Sequence, residues 1–150
     1  MNISLDLDGV ICQWKDLEDR TLENYDQLPP ILGAHEGILD LHLMLGYVSI
    51  VTARHYRGAF NHVLDWFDKN KLPAFNELIA GIPTSEKWRV MQALNADIHV
   101  DDNIRAFEKV PPYITCILFR GDHNKDQDWS ITVSSWPELV EKIKEIENGR

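Results

Sequence analysis

Long apolar runs, cysteine and positive charge are all scarce in this 150-residue chain. No apolar stretch approaches the roughly 20 residues needed to cross a bilayer as a helix, so no membrane span is expected. The two cysteines, Cys12 and Cys116, lie far apart among apolar neighbours. That spacing gives neither a disulfide framework nor a metal-ligand pattern, and it reads most simply as two reduced core thiols. Lys and Arg number 15 against 24 Asp and Glu, for a net charge of −9. Broad nucleic-acid binding relies on Lys and Arg neutralising phosphates and is not expected here, although a single nucleotide held by a few cations and a metal is still open. Repeats, low-complexity tracts and linkers are missing too. The chain starts on strand-like sequence instead of a charged and apolar leader, so a cytosolic protein is the expectation.

What the chain does have is the composition of a globular domain, 44% hydrophobic and 26% charged. Its length suits one domain with a substantial core. Ile3 to Asp6 alternates as a short strand would. Lys15–Gln27 has helical character, with Leu17, Leu22 and Tyr25 facing inward, and Pro29-Pro30 stops it. Further helices are expected over His35–Leu45, over Arg57–Asn70 with Phe60, Val63, Leu64 and Phe67 inward, and over Ser85–Asn95 with Trp88, Met91 and Leu94 inward. Strands are expected at Tyr47–Thr52, Leu78–Ala80, Asp97–Val100 and Ile114–Phe119. A short helix follows at Ile104–Lys109, with a small extra strand at Ile131–Val133. Ser135-x-x-Glu138 with Pro137 starts a last amphipathic helix as a capping box. Strands alternating with helices predict a three-layer, Rossmann-like, doubly wound parallel α/β sheet, with ligands at the carboxyl ends of its strands.

Suspicious polar residues fall at those ends. Asp6 and Asp8 are two apart, so in extended chain their carboxylates point the same way, and Gly9 permits a sharp turn beside them. Two such acids repel, which implies a cation or a raised pKa. Thr52 offers a hydroxyl and, with Ala53, turn amides for a phosphate oxygen. Lys87 follows Pro83-Thr84-Ser85, a good helix start, where an anion is favoured. Asp101-Asp102 follows a buried strand. Three acids close together suit a hard, oxygen-seeking cation, Mg²⁺ above all. Taken singly, each piece also reads as a plain strand end, a solvated lysine or a helix cap.

Together and in this order, the four segments resemble the four motifs of the haloacid dehalogenase-like superfamily over nearly the whole chain. Pro30-x-x-Gly33-Ala34-x-x-Gly37, the run Tyr47–Arg54 and the His123-Asn124 loop before Ser135-Trp136-Pro137-Glu138 resemble its 5′-deoxyribonucleotidase branch. The resemblance implies that Asp6 attacks phosphorus and that Asp8 protonates the leaving alcohol and then activates water. It implies that Thr52, Ala53 and Lys87 hold the phosphoryl oxygens. Mg²⁺ would be bound by Asp6, the Asp8 carbonyl and Asp101 or Asp102. An aspartate at position 8 points within the superfamily to phosphate ester hydrolysis. Receiver domains also use acids, Thr and Lys around Mg²⁺, but in a different order along the chain.

Only about residues 12–30 are available for a cap, enough for one helix and a loop. Trp14, Tyr25, Arg54 and His55 are the candidates for touching a leaving group, with Trp14 or Tyr25 either stacking on a base or packing the cap onto the core. The expected partner is a small phosphorylated substrate, with a nucleoside monophosphate favoured. A macromolecular phosphate or a non-catalytic domain of the same fold is the alternative.

Overall fold

The computed structural model describes residues 1–150. Six strands are present: β1 (Asn2–Leu5), β2 (Tyr47–Val51), β3 (Glu77–Ile79), β4 (Ile98–Asp101), β5 (Thr115–Phe119) and β6 (Thr132–Val133). Five helices accompany them: α1 (Leu22–Asp26), α2 (Ala34–Leu45), α3 (Ala59–Lys69), α4 (Lys87–Ala93) and α5 (Trp136–Asn148). The sheet runs β3-β2-β1-β4-β5-β6 and every neighbouring pair is parallel. This is the doubly wound sheet expected from the alternation of elements.

Successive side chains of a strand point to opposite faces, and β5 shows the two layers. Ile117 and Phe119 join the larger core with α2, α3 and α5, while Cys116 and Leu118 pack on the other face with Ala106 and Phe107. Met91 of α4 packs with Ala96 and Ile114 in a third cluster. Both faces being covered explains why the central strands are buried at nearly every position.

Four local expectations need correction. Residues 15–20 are not helical: the run there has few apolar residues to bury, and Thr21, extended at φ −105° and ψ 161°, caps α1 only from Leu22 onward. On α3 the buried set is Ala59, His62, Val63, Trp66 and Phe67, while Phe60 and Leu64 are exposed. The helix is rotated so that Trp66 goes inside, where its indole N–H donates to the Leu28 carbonyl at 2.9 Å; the larger ring wins the inward place. The segment after β4 is a single 3₁₀ turn, Ile104–Ala106, because Asn103 caps it and the chain leaves at Phe107. At α5 the capping box is displaced by one residue. Glu138 N–H donates to Ser135 Oγ, but the Glu138 carboxylate accepts from Ser134 N–H.

The sheet order matters for the site. β1 lies between β2 and β4, and the chain winds away from it in both directions, so a crevice opens at the carboxyl ends of these strands. Residues 13–29 make an excursion above it whose two ends are pinned together. Gln13 N–H donates to the Pro29 carbonyl at 2.9 Å, and Ile31 N–H to the Ile11 carbonyl at 2.7 Å.

Candidate active site

Asp6 is the first residue past β1, Thr52 the first past β2, Asp101 the last of β4 and Lys87 the first of α4. Lys87 is only 1% exposed, so its charge must be compensated. Its Nζ lies 2.8 Å from Asp6 Oδ1 and 2.7 Å from Asp101 Oδ2. Burial works against the ammonium, but Asp101 and Asp6 outweigh it and raise its pKa. Beneath them His99 Nε2 donates to Asp101 Oδ2 at 3.1 Å, and Ser4 Oγ pairs with His99 Nδ1 at 2.8 Å. Burial lowers the His99 pKa. A neutral ring facing a carboxylate through Nε2 carries its proton there and accepts the Ser4 hydroxyl at Nδ1. Burial favours a neutral Asp101, yet Lys87 and His99 hold it ionised, far below the usual carboxylate range.

Asp102 reaches the same place from the next position, and one carboxylate oxygen from each of Asp6, Asp101 and Asp102 lies within 4.8 Å of the others. The three together are over-charged. Burial first and then Asp101 push the Asp6 carboxyl up to about 7; burial, Asp6 and Asp101 push Asp102 up to about 10. His123 Nε2 lies 2.6 Å from Asp102 Oδ2, and Asn124 Nδ2 donates to the Asp102 carbonyl at 2.6 Å. Gly9 closes the other side. With φ +82°, it approaches so closely that a Cβ there would lie 2.0 Å from Asp102 Oδ2.

Asp8 faces the cavity from a different direction. Arg54 Nε donates to its Oδ2 at 2.9 Å and Nη2 to its Oδ1 at 2.6 Å, a two-pronged pair. The Arg54 guanidinium lies over the Tyr25 ring, with Cζ 4.0 Å from the centroid.

These residues line one cavity of about 370 Å³. It holds Asp6, Asp8, Lys87, Asp101 and Asp102 at its base, with Ala53, Arg54 and His55 on one wall and Trp14 and Tyr25 from the 13–29 excursion above. Thr52 is fully buried and sits behind that wall, its Oγ1 accepting from Arg54 N–H at 3.2 Å. Tyr25 is buried, stacked on Tyr56 at 5.3 Å as well as under Arg54. Trp14 is 43% exposed and stacks on His123 at 4.8 Å. His55 is exposed, its Nδ1 3.3 Å from the Ala53 carbonyl.

Sequence reasoning did not assign His99, His123, Asn124 or Tyr56 to the site. His99 precedes Asp101 by two on a strand and therefore shares its face, a usable signal. His123 and Asn124 arrive on a 3₁₀ turn, Asp122–Asn124, and Tyr56 on a loop, where no periodicity marks them.

No protein-family model matches the chain, and no curated protein matches it in sequence. Solved structures do resemble it. A Thermotoga maritima protein assigned as a β-phosphoglucomutase superposes with a TM-score of 0.65 at 14% identity, over 97% of this chain and 100% of that one. A haloacid dehalogenase-superfamily hydrolase from Ehrlichia chaffeensis gives 0.63 at 11% identity, over 96% of each chain. CbbY from Rhodobacter sphaeroides, solved with xylulose 1,5-bisphosphate, gives 0.65 at 11% identity, over 92% of this chain and 95% of that one. The fold is that of the haloacid dehalogenase-like hydrolases. At these identities the likeness is one of architecture.

Proposed function

We propose that this protein is a Mg²⁺-dependent phosphatase that hydrolyses a small phosphate monoester through a phosphorylated Asp6, with a nucleoside monophosphate as the favoured substrate. The observation that carries the reading is the base of the cavity: Asp6, Asp101 and Asp102 within 4.8 Å of one another, with Lys87 bound to two of them.

The acids fit a hard cation, because carboxylate oxygens are what Mg²⁺ takes and because three buried carboxylates beside one ammonium leave negative charge unbalanced. Asp6 and Asp102 would hold it with the Asp8 carbonyl. Asp101 is otherwise committed, since its Oδ2 accepts from Lys87 and His99 and its Oδ1 from Asn103 N–H. A bound Mg²⁺ supplies positive charge that offsets the repulsion between a phosphate dianion and a carboxylate nucleophile.

The residues divide the remaining work. An Asp6 oxygen bonds to phosphorus as the ester P–O bond breaks, and the leaving oxygen takes a proton from Asp8. Asp8, now ionised, takes a proton from water as the water oxygen bonds to phosphorus and the Asp6–phosphorus bond breaks. Inorganic phosphate and the starting carboxylates result. Lys87 keeps positive charge beside the nucleophile throughout. Ala53, on the cavity wall, offers its amide to a phosphoryl oxygen, and Thr52, buried behind it, fixes that turn by accepting from Arg54 N–H. The nucleoside preference rests on Trp14, a half-exposed indole among the residues lining the cavity. The buried, unpaired thiols of Cys12 and Cys116 suit the reducing cytosol, where we place the protein.

A panel of phosphate esters, assayed with Mg²⁺ and with excess chelator, tests the reading. Wild-type protein is expected to turn over in Mg²⁺ only and to prefer nucleoside monophosphates to simple alkyl phosphates. Asp6→Asn is expected to fold and to lose several orders of magnitude in kcat. Full activity in chelator, or near-normal turnover by Asp6→Asn, would sink the proposal; equal rates on all esters would remove the nucleotide preference.

A further inference from the structure

We infer that Arg54 is the positioning residue of Asp8, holding its carboxylate so that one edge faces the reacting oxygens; the inference rests on the phosphatase reading above. The pair is asymmetric. The Asp8 side chain is 25% exposed and the Arg54 side chain 1%, so the carboxylate is gripped from behind and open toward the cavity. Both carboxylate oxygens are engaged, at 2.9 and 2.6 Å, which fixes the plane of the group as well as its place.

Arg54 is itself over-determined. Its backbone N–H is held by Thr52 Oγ1 at 3.2 Å, and Nη2 also contacts Cys12 Sγ at 3.5 Å. Its guanidinium rests on Tyr25, which stacks on Tyr56, whose hydroxyl meets His62 Nδ1. His62 Nε2 reaches Asp26 Oδ1 at 3.4 Å, on the same short helix as Tyr25. A cation supported in this way moves little. Its third nitrogen, Nη1, is buried and makes no hydrogen bond. Nε and Nη2 both bond to Asp8, so Arg54 acts on the reaction through that carboxylate.

Both halves of the reaction depend on that placement. In the first, the Asp8 proton passes to the leaving oxygen as the ester bond breaks. In the second, Asp8 receives a proton from the attacking water as the Asp6–phosphorus bond breaks. A leaving group that departs as a stable anion needs no proton in the first half, yet the second half still needs Asp8. This separates a positioning role from a structural one.

The experiment measures kcat/KM for Arg54→Met and Arg54→Lys on esters whose leaving groups run from alkoxides to p-nitrophenolate. Lys restores a charge but cannot grip both oxygens. For both variants the loss on alkyl phosphates is expected to be about 10²- to 10⁴-fold, the scale of general acid–base catalysis, and far smaller on p-nitrophenyl phosphate. Rapid mixing with p-nitrophenyl phosphate should show a burst of nitrophenolate, as phosphorylated Asp6 accumulates. Parallel losses along the whole series without a burst would overturn the inference, as would unchanged rates or full recovery by Lys. If Arg54→Met does not fold, Arg54→Lys alone decides. Failure of the wild type to cleave any ester overturns the phosphatase reading and this inference with it. An active wild type with parallel losses overturns only the role of Arg54.

Discussion

At Gly9 the backbone turns with φ +82° directly against Asp102. A side chain there meets two costs together: the left-handed conformation, about 1–2 kcal/mol for an L-residue, and a carboxylate oxygen 2.0 Å from the new Cβ. His123 Nε2 already pairs with that same oxygen, and Asn124 holds the Asp102 main-chain carbonyl. Gly9→Ala is therefore expected to weaken Mg²⁺ binding by displacing Asp102, and to lower the melting temperature. A Mg²⁺ titration followed by thermal shift checks this, and an unchanged midpoint would contradict it. At this scale the sequence was informative wherever a residue is placed by its own strand. Asp6, Asp101 and Asp102 converge because each ends or follows a neighbouring parallel strand. It was silent on pairs formed across strand ends. Nothing near Arg54 in the chain names Asp8, 46 positions away, as its partner.

Helix faces were the harder problem at the scale of elements. On α3, Phe60 and Leu64 fit an apolar stripe as well as His62 and Trp66 do, and only the Leu28 carbonyl waiting for an indole N–H decides between them. The 15–20 segment misled for the opposite reason, since residues with fair helix propensity have no face to bury. The seat of α5 is better defined. Trp136 is fully buried, its N–H donates to the Val10 carbonyl at 2.8 Å, and its ring fills the space beside Gly37 of α2. A Cβ at Gly37 would lie 2.1 Å from Trp136 Cε3. Replacing a mid-helix glycine by alanine ordinarily gains about 1 kcal/mol, whereas overpacking a filled core costs about 1–3 kcal/mol. With contact this close the second effect wins. Gly37→Ala should melt at lower temperature than wild type, as calorimetry would show; a stabilised variant would mean that α5 can shift.

For the molecule as a whole, the crowded acids link stability to pH. In the metal-free protein, Asp6 is pushed up to about 7 and Asp102 to about 10, while in the unfolded chain both ionise near 4. The folded state then binds protons that the unfolded state has released, so stability falls as pH rises through these values. Burial lowers His99 and His123, which gives the opposite slope below about 6.5, where an unfolded histidine takes up its proton. Between pH 7 and pH 8.5 the histidines are neutral in both states and the acids prevail. The loss there is about 1.4 kcal/mol per pH unit for each proton involved. Melting temperature without metal should fall across that range, and millimolar Mg²⁺ should flatten the curve by binding the folded state. A flat curve in chelator would show that the acids do not repel as described.

The bond from Trp136 to Val10 has a temporal meaning. It joins positions 126 residues apart, and the ribosome makes one end long before the other. At about 5–20 residues per second, Val10 is synthesised some ~6–25 seconds before its partner. Lys87, the partner of Asp6, and β4, which pairs along the other edge of the first strand, are made in between. Until β2 emerges the apolar first strand has no neighbour, and until β4 emerges one of its edges stays open. Asp6, made early, waits for the later segments that surround it: Lys87, Asp101 and Asp102.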